Sequence, residues 1–280
     1  MREFCDLHAH SVFSDGTFTP EQLLDEAQRI GLGAVALTDH NTVAGLPDFM
    51  AAARGKSLEA VPGVELSVDY LGTELHILAL FVKPEHFGPI AAMLEEGIRS
   101  KEESNLKLVK ALEDAGYPID YPALRDATPN GQINRAHIAA ELTRLGYTPD
   151  IQTAFQTLLS PKNGLYKPPK RPDAFETVSF IGSLGAVSVL AHPFLDLKCE
   201  DAVRKFLEVA APRGLCGMEV YHPRHDTMQR QAAMRLVKEF GIKPSGGSDF
   251  HGNNKPDIRL GVGRGDLKIP LDFLRSLKKG

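Results

Sequence analysis

The stretch Asp6-Leu7-His8-Ala9-His10-Ser11-Val12-Phe13-Ser14-Asp15-Gly16 decides the fold and the chemistry predicted for this chain. Residues 3–7 are predicted to form a short strand that ends in two histidines. Because side chains two apart in an extended chain share one face, His8 and His10 can chelate one metal ion. Asp15 follows in a Ser-Asp-Gly turn and can return a carboxylate to the same place. Taken alone, the motif is equally compatible with two buried histidines and an ordinary turn.

The rest of the chain repeatedly places His, Asp or Glu beside a predicted strand end. Strands are predicted over residues 34–37, 58–64, 75–82, 186–190, 218–221 and 243–247, and helical patterns separate most of them. With the opening motif, the ligand-type residues are His8, His10, Asp15, Asp39, His40, Glu65, His76, His192, Asp249 and His251. In α/β barrels the active site lies at the carboxyl ends of the strands. The pattern therefore predicts an α/β barrel with a metal site at its mouth, irregular or incomplete because only about seven strands are found.

A helical block interrupts this alternation. Apolar residues recur at helical spacing in residues 89–115, 136–145 and 150–159, and no strand is predicted between these segments. The run Lys167-Pro168-Pro169-Lys170-Arg171-Pro172 is expected to be extended and stiff, as is typical of a linker. We therefore predict a metal-binding barrel over residues 1–86 and 169–280, with an inserted helical substrate or lid lobe over residues 87–168.

Composition excludes several classes of protein. A chain of 280 residues with net charge −4 fits one large soluble domain, and it argues against a stable double-stranded nucleic-acid partner. Cys5, Cys199 and Cys216 match no zinc or redox spacing and are expected to be core residues of a reduced, cytoplasmic protein. The longest apolar run, residues 181–190, is too short to span a bilayer, and no leader precedes the first strand. No membrane partner is expected.

The ligand types indicate which metals the site would hold. Imidazole and carboxylate groups without thiolate suit Mn²⁺, Zn²⁺ or Fe²⁺ better than Mg²⁺ or Ca²⁺. One ion cannot use so many ligands, so two or three divalent ions are predicted. Clustered ions can bridge a hydroxide and bind non-bridging phosphoryl oxygens, which suits phosphoester hydrolysis. The predicted substrate is a small phosphorylated molecule.

The motifs around these residues, in their order along the chain, resemble those of the PHP (polymerase and histidinol phosphatase) domain family. They are Asp-Leu-His-Ala-His-Ser with Ser-Asp-Gly, Leu-Thr-Asp-His-Asn, Pro-Gly-Val-Glu, Leu-His-Ile-Leu, Ala-His-Pro and Gly-Ser-Asp-Phe-His. Residues 134–139 and the phrase Glu219-Val220-Tyr221-His222-Pro223 resemble the stand-alone branch of nucleoside 3′,5′-bisphosphate phosphatases and related small-phosphoester hydrolases. The resemblance implies a distorted (β/α)7 barrel that holds a trinuclear metal site.

The resemblance also implies which residues bind the metals. One ion would take His8, His10, Glu65 and Asp249, a second Glu65, His76 and His192, and a third Asp15, His40 and His251. Asp39 would orient a ligand histidine from outside this set. The family often has Asp where this chain has Asn41, and Ala136 replaces a common Pro. Neither difference removes a ligand.

The same resemblance implies substrate-binding groups in the insert. Arg135 and His137, at a predicted helix start, would bind a phosphate through charge and free backbone N–H groups. Lys162 and Tyr166 would meet a second phosphate. The alternative for these residues is a solvated helix end and an ordinary charged loop.

The predicted activity is that of a metal-dependent phosphatase or phosphoesterase. A metal-bridging hydroxide would attack phosphorus, and His222 or His225 would protonate the leaving oxygen, unless both are ordinary surface histidines. The favoured substrate is a nucleoside 3′,5′-bisphosphate, with short RNA 5′ ends as a further one. The alternatives are a cyclic-phosphate phosphodiesterase of the same PHP type and a non-catalytic metal-binding module. An amide hydrolase fits less well, because no lysine stands at a ligand position.

Overall fold

The structure is a computed structural model and describes residues 3–128 and 133–279. The chain divides into two compact units, residues 1–91 with 172–280 and residues 92–171. The first unit is a mixed α/β barrel, and the helices of the insert form the second. The predicted fold class, a distorted α/β barrel with an inserted helical lobe, is confirmed.

The strands of the first unit form one sheet. They are β1 (Phe4–Asp6), β2 (Ala34–Leu37), β3 (Glu59–Tyr70), β4 (Thr73–Leu80), β5 (Val187–Leu190), β6 (Gly217–Tyr221), β7 (Lys243–Gly246) and β8 (Ile269–Pro270). Their order is β7-β6-β5-β4-β3-β2-β1-β8, in which β4 runs antiparallel to both neighbours and β8 runs antiparallel to β1. The described residues thus contain eight strands rather than the predicted seven, because a strand of two residues leaves no periodic pattern in the sequence.

Hydrogen bonds between the ends of β1 and β7 nearly close this sheet into a barrel. The N–H of Leu7 donates to the carbonyl of Gly246 (3.2 Å), and the N–H of Asp249 donates to the carbonyl of His8 (3.0 Å). A Cβ on Gly247 would overlap the Cβ of His8, so this close approach requires a glycine. Closure brings the segment after β7 next to the opening histidine motif.

Helices follow most of the strands. They are α1 (Pro20–Arg29), α2 (Leu46–Ala52), α3 (Phe87–Asp114), α4 (Tyr121–Ala127), α5 (Arg135–Arg144), α6 (Ile151–Gln156), α7 (Ala174–Ser183), α8 (Pro193–Asp196), α9 (Glu200–Ala210), α10 (Thr227–Phe240) and α11 (Leu271–Leu277). Helix α1 begins with Thr19 as its N-cap and Pro20 at its first position, and Gln22 completes a capping box. Helices α4 and α8 have only seven and four residues and were not predicted.

One apolar cluster packs the barrel strands against each other and against α11. It contains Cys5, Leu7, Ala34, Ala36, Val61, Leu78, Leu80, Val187, Val189, Ala191, Leu267, Ile269, Leu274 and Leu277. Cys216 packs against this cluster, but Cys199 is exposed at the start of α9, so the expectation of three core cysteines is wrong for Cys199. All three thiols are free. The strands that carry the ligand-type residues therefore share one packed interior.

The second unit has a core of its own. Residues from α3 to α6 and the loops after them contribute Leu108, Leu112, Ile119, Tyr121, Ile133, Ile138, Ala139, Leu142, Ala154, Leu159 and Tyr166. The Tyr121 hydroxyl donates to Glu102 (2.7 Å) and fixes the start of α4 to α3. Within residues 3–128 and 133–279, none of the helices in either unit has the length and apolar composition needed to cross a bilayer.

Candidate metal centre

Glu65 lies fully buried in the middle of β3, and imidazole nitrogens surround both of its carboxylate oxygens. Oε2 lies 3.1–3.2 Å from one nitrogen of each of three histidines, and Oε1 lies 2.9–3.1 Å from nitrogens of two more. The histidines near Oε2 are His8, His10 and His40, and those near Oε1 are His76 and His192. One carboxylate therefore gathers histidines from four different parts of the chain.

The spacing of these atoms fits metal ligation. Oε2 of Glu65 is buried and has no hydrogen-bond partner among the described residues, although three nitrogens lie within 3.2 Å. Donor atoms that share one cation at about 2.1 Å lie about 3.0–3.4 Å from each other. Oδ1 of Asp15 is also buried, and no residue that the structure describes forms a hydrogen bond with it. The donor set, nitrogen and carboxylate oxygen without thiolate, fits Mn²⁺, Zn²⁺ or Fe²⁺.

Each of the nine residues predicted as metal ligands belongs to at least one of four groups. Within each group, the donor atoms lie within 4.8 Å of each other. The groups are His10 with Asp15, His40 and His251; His8 with His10 and Asp249; His8 with Glu65 and His192; and His40 with Glu65 and His76. Each group shares one residue with the next, and the last shares His40 with the first. Neighbouring cations in this centre would therefore share ligands.

Strand direction explains why His76 lies in this centre although it stands near the start of β4. Since β4 runs antiparallel to β3 and β5, its early residues lie at the edge where β5 ends. The N–H of Ala191, directly after β5, donates to the carbonyl of His76 (3.0 Å). The next residue along the chain is His192. The two histidines are thus brought together by backbone pairing.

Two candidate ligands have strained backbones. His192 has φ 26° and Asp249 has φ 54°, in the left-handed region that costs a non-glycine residue about 1–3 kcal/mol. Hydrogen bonds from their own N–H groups hold both: His192 donates to Oε2 of Glu219 (2.7 Å), and Asp249 to the carbonyl of His8. Such strain after a strand is typical of a functional site.

Carboxylates that the sequence analysis missed orient two of the histidines. Oε1 of Glu219, on β6, lies 3.1 Å from Nδ1 of His8, and Oδ2 of Asp196 lies 3.1 Å from Nδ1 of His192. A hydrogen bond at Nδ1 leaves the lone pair at Nε2 free for a metal ion. Glu219 could have been noticed as a carboxylate inside a short apolar strand, and Asp196 as a residue four after His192.

Asp39, predicted to orient a ligand histidine, contacts the loop that follows the opening histidine pair. Its carboxylate accepts hydrogen bonds from the N–H and hydroxyl of Ser11 (2.7 and 2.6 Å) and from the hydroxyl of Ser14 (2.6 Å). None of these partners is a histidine ring, and Ser14 in turn lies 3.5 Å from Nδ1 of His10. The contacts favour Asp39 as the residue that holds the loop carrying Asp15, because both serines belong to that loop.

The two histidines predicted as proton donors differ in which ring nitrogen carries hydrogen. Nδ1 of His222 accepts from the N–H of Arg224 (3.2 Å), so in the neutral ring Nε2 carries the proton, 3.7 Å from Oδ2 of Asp249. Nδ1 of His225 instead donates to the carbonyl of Val220 (3.1 Å), which leaves Nε2 without a proton. Both rings are buried, contrary to the surface alternative. The geometry favours His222 over His225 as the donor.

In the helical unit, Arg135 is fixed by aromatic rings. Its guanidinium carbon lies 4.4 Å from the centre of the Tyr166 ring and 5.7 Å from that of Phe155, close enough for cation–π attraction. Tyr166 is only 4% exposed and belongs to the core of this unit. The contacts favour Tyr166 as support for Arg135 over the predicted direct contact with a substrate.

The other two predicted substrate residues also lie in the helical unit. Nδ1 of His137 accepts the N–H of Asn134 (3.2 Å), and Oδ1 of Asn134 accepts the N–H of His137 (3.1 Å), which forms a capping box at the start of α5. Lys162 is exposed in a 3₁₀ turn. The His137 ring thus takes part in starting the helix.

Burial and charge shift the pKa values of the clustered histidines in opposite directions. Burial alone would lower the pKa of His10 and of His192. The hydrogen bonds that the two rings donate to Asp249 and Asp196, together with the charge of Glu65, outweigh burial and raise both pKa values to about 9. For His40, burial dominates over the attraction of Glu65 and lowers the pKa to about 3. Without metal, the centre therefore holds protons on some imidazoles at neutral pH.

We expect metal binding to release these protons. His10 and His192 hold protons below a pKa of about 9, whereas a ligand nitrogen must be unprotonated, so the apparent Mn²⁺ affinity should rise with pH up to that value. Titration calorimetry at pH 7 in two buffers of different ionisation enthalpy should show a net release of protons on Mn²⁺ binding. At pH 8.5 the release should be smaller, which serves as the control. An enthalpy independent of the buffer would contradict the prediction.

Comparison with known proteins agrees with this geometry. The PHP domain pattern matches residues 6–119. A 5′-3′ exoribonuclease of Haemophilus influenzae is 31% identical over 251 residues, which cover 90% of this chain and 91% of the relative. A phosphoribosyl 1,2-cyclic phosphate 1,2-diphosphodiesterase of Eggerthella lenta is 31% identical, and the alignment covers 88% of this chain and 94% of the relative. A 3′,5′-nucleoside bisphosphate phosphatase of Chromobacterium violaceum is 31% identical, and the alignment covers 88% of this chain and 86% of the relative.

Solved structures share the fold. A candidate metal-dependent phosphoesterase of Bifidobacterium adolescentis superposes with a TM-score of 0.83 at 28% identity, covering 98% of this chain and 94% of that one. A Chromobacterium violaceum protein described as an amidohydrolase, with bound sulfate and no metal, superposes with a TM-score of 0.80 at 29% identity. The superposition covers 90% of this chain and 88% of that one. The prediction of a phosphoesterase of this family is confirmed. The pattern match, the relatives that align along most of their length and the shared barrel agree that the chain belongs to the PHP domain family.

Proposed function

We propose that this protein is a metal-dependent phosphatase that releases phosphate from nucleoside 3′,5′-bisphosphates. The observation that carries the proposal is the buried carboxylate of Glu65, which has five imidazole nitrogens within 3.2 Å but an Oε2 without a hydrogen-bond partner among the described residues. A buried carboxylate oxygen that accepts no hydrogen bond is costly unless a cation binds there. The centre is therefore built to hold metal ions.

The proposed metal content is a trinuclear cluster of Mn²⁺, Zn²⁺ or Fe²⁺ held by the nine predicted ligands. His8, His10, Glu65 and Asp249 would serve one ion, Glu65, His76 and His192 a second, and Asp15, His40 and His251 a third. Two donor groups support the first and third sets, since His8, His10 and Asp249 form one and Asp15, His40 and His251 lie together in another. The second set is supported by Oε1 of Glu65, which lies within 3.1 Å of nitrogens of His76 and His192. When bound, such ions lower the pKa of water and neutralise charge on phosphoryl oxygens.

Residues outside the ligand set would bind the substrate and stabilise its leaving oxygen. The neutral His222 presents an N–H toward Asp249 at the edge of the centre and is proposed to donate a hydrogen bond to the leaving oxygen. In the helical unit, Arg135 is held by the rings beneath it and is the proposed phosphate ligand, since a guanidinium can bind phosphate through two N–H groups. His137 and Lys162 remain candidates for further phosphate contacts.

The bisphosphate preference rests on the resemblance of residues 134–139 to the bisphosphate phosphatase branch and on the relative from Chromobacterium violaceum. A second candidate is hydrolysis of a cyclic phosphate, which the equally similar relative from Eggerthella lenta favours. Short RNA 5′ ends are a third substrate, in line with the relative from Haemophilus influenzae. We also propose a cytoplasmic location, consistent with three free thiols.

A phosphate-release screen tests the proposal. Nucleoside 5′-monophosphates, 3′,5′-bisphosphates, cyclic phosphates and short 5′-phosphorylated RNA are each incubated with the protein and Mn²⁺, and then with a chelator. We expect release from the bisphosphate to be fastest and to stop on chelation, because the cations supply several kcal/mol of transition-state stabilisation.

Each substrate outcome has a distinct meaning. Equal rates for mono- and bisphosphates would contradict the bisphosphate preference, and a clear preference for a cyclic ester would favour the second candidate. Activity that survives complete chelation would contradict the metal-dependent mechanism. Binding of Mn²⁺ without hydrolysis of any substrate would favour a non-catalytic module.

A further inference from the structure

The two oxygens of Asp249 face different surroundings. Oδ1 points into the metal centre, 3.4 Å from Nε2 of His10 and 3.5 Å from Nδ1 of His251. Oδ2 accepts a hydrogen bond from the ammonium group of Lys255 at 2.7 Å. The carboxylate therefore separates the centre from a lysine that neither the sequence motifs nor the proposed mechanism uses.

Lys255 is held near the centre by its loop. The 3₁₀ turn Gly252–Asn254 precedes it, and the side-chain amide of Asn254 donates to the carbonyl of Asp15 (2.8 Å). The N–H of Asn253 donates to the hydroxyl of Thr17 (2.9 Å). These bonds attach the loop to the segment that carries Asp15. The lysine thus has a defined place beside two candidate metal ligands.

The ammonium group has donors to spare. It carries three N–H bonds, and Asp249 is its hydrogen-bond partner within the described part of the chain. Its side chain is 28% exposed, so an anion can reach it from solvent. One of these N–H bonds can stay on Oδ2 of Asp249 while another binds an anion. Lys255 can therefore contact an anion without leaving Asp249 unpaired.

We propose that Lys255 binds a phosphoryl oxygen of the substrate at the edge of the metal centre, beside Asp249. This inference rests on the proposed function and adds a positively charged substrate ligand that belongs to the barrel itself. A phosphoryl group carries up to two negative charges. A lysine ammonium attracts it as a compact positive charge and can direct any of its three N–H bonds at a phosphoryl oxygen. Asp249 fixes that charge before the substrate arrives.

Binding of inorganic phosphate to the Mn²⁺-loaded full chain tests this role. Excess metal is removed first, and phosphate is titrated by calorimetry into wild type, Lys255→Met and Lys255→Arg, with bound manganese measured in each. We expect Lys255→Met to bind phosphate about 10- to 100-fold more weakly at unchanged manganese content, and Lys255→Arg to stay within about 5-fold of wild type. Lys205→Met, which removes an exposed lysine of α9, should bind phosphate as wild type does.

Three results would overturn the inference. Unchanged phosphate affinity in Lys255→Met would remove the lysine from the substrate site, and loss of manganese from that variant would show that it only positions Asp249. Failure of the manganese-loaded wild type to bind phosphate would show that no phosphate site exists beside Asp249. If wild type binds phosphate in a Lys255-dependent way but hydrolyses no phosphoester, the inference stands and the proposed function fails.

Discussion

Replacing Glu65 by Gln is expected to lower kcat/KM for phosphoester hydrolysis by a factor on the order of 10³ or more, and to reduce the bound metal. Glu65 contributes to two of the four donor groups and is within 3.2 Å of five imidazole nitrogens. An amide keeps one acceptor oxygen, but it loses the negative charge and turns an NH₂ group toward ring nitrogens. Activity assays together with metal analysis by mass spectrometry check the prediction.

Glu59→Gln is a matched control for this variant. Glu59 begins the same strand, but its side chain is 39% exposed and forms an ion pair with Lys278 outside the metal centre. The same chemical change there should leave metal content and activity at wild-type levels. A Glu65→Gln protein with full metal content and wild-type kcat/KM would show that the centre does not depend on this carboxylate.

Replacing Glu219 by Gln is expected to weaken Mn²⁺ binding about 10- to 100-fold although every ligand remains. Glu219 uses both oxygens: Oε1 faces Nδ1 of His8, and Oε2 accepts the N–H of His192. A glutamine has only one acceptor oxygen, so one of these two donors loses its partner inside a buried site. Dissociation constants for Mn²⁺ measured by titration check the prediction.

The kinetic pattern separates positioning from ligation. Because Glu219 acts through His8 and His192, excess Mn²⁺ should restore much of the activity of Glu219→Gln, whereas it should not restore Glu65→Gln. Glu239→Gln, an exposed position on α10 that pairs with Arg204, provides the matched control. An unaltered Mn²⁺ affinity in Glu219→Gln would mean that the His8 ring is held adequately by its other contacts.

Local sequence determined much of the fold and most of the candidate ligands. The His8 and His10 pair, the Ser-Asp-Gly turn at Asp15 and the polar residues after apolar strands all follow rules of short range. Helix α1 could be predicted because its cap and first-turn proline are adjacent in sequence. Strand β8 could not, because its two residues are defined only by their pairing with β1.

The roles of residues outside the ligand set depended on tertiary structure. Asp39 contacts the Ser11–Ser14 loop, not a histidine ring, and Tyr166 lies in the core of the helical unit. The choice between His222 and His225 required knowing which ring nitrogen each hydrogen bond occupies. Hydrogen-bond partners of this kind are set by packing, and the spacing of residues along the chain does not reveal them.

By itself the sequence determined that this chain forms a metal-binding α/β barrel, because strand alternation and ligand type are properties of neighbouring residues. Only the tertiary structure decided that Glu219 orients His8 and that Lys255 pairs with Asp249. Glu219 is 211 residues from His8 in the chain, and it meets that ring because the barrel brings β6 and β1 to one interior. Oδ2 of Asp249 meets Lys255 after the 3₁₀ turn Gly252–Asn254, which hydrogen bonds to Asp15 and Thr17, distant in the sequence, hold in place.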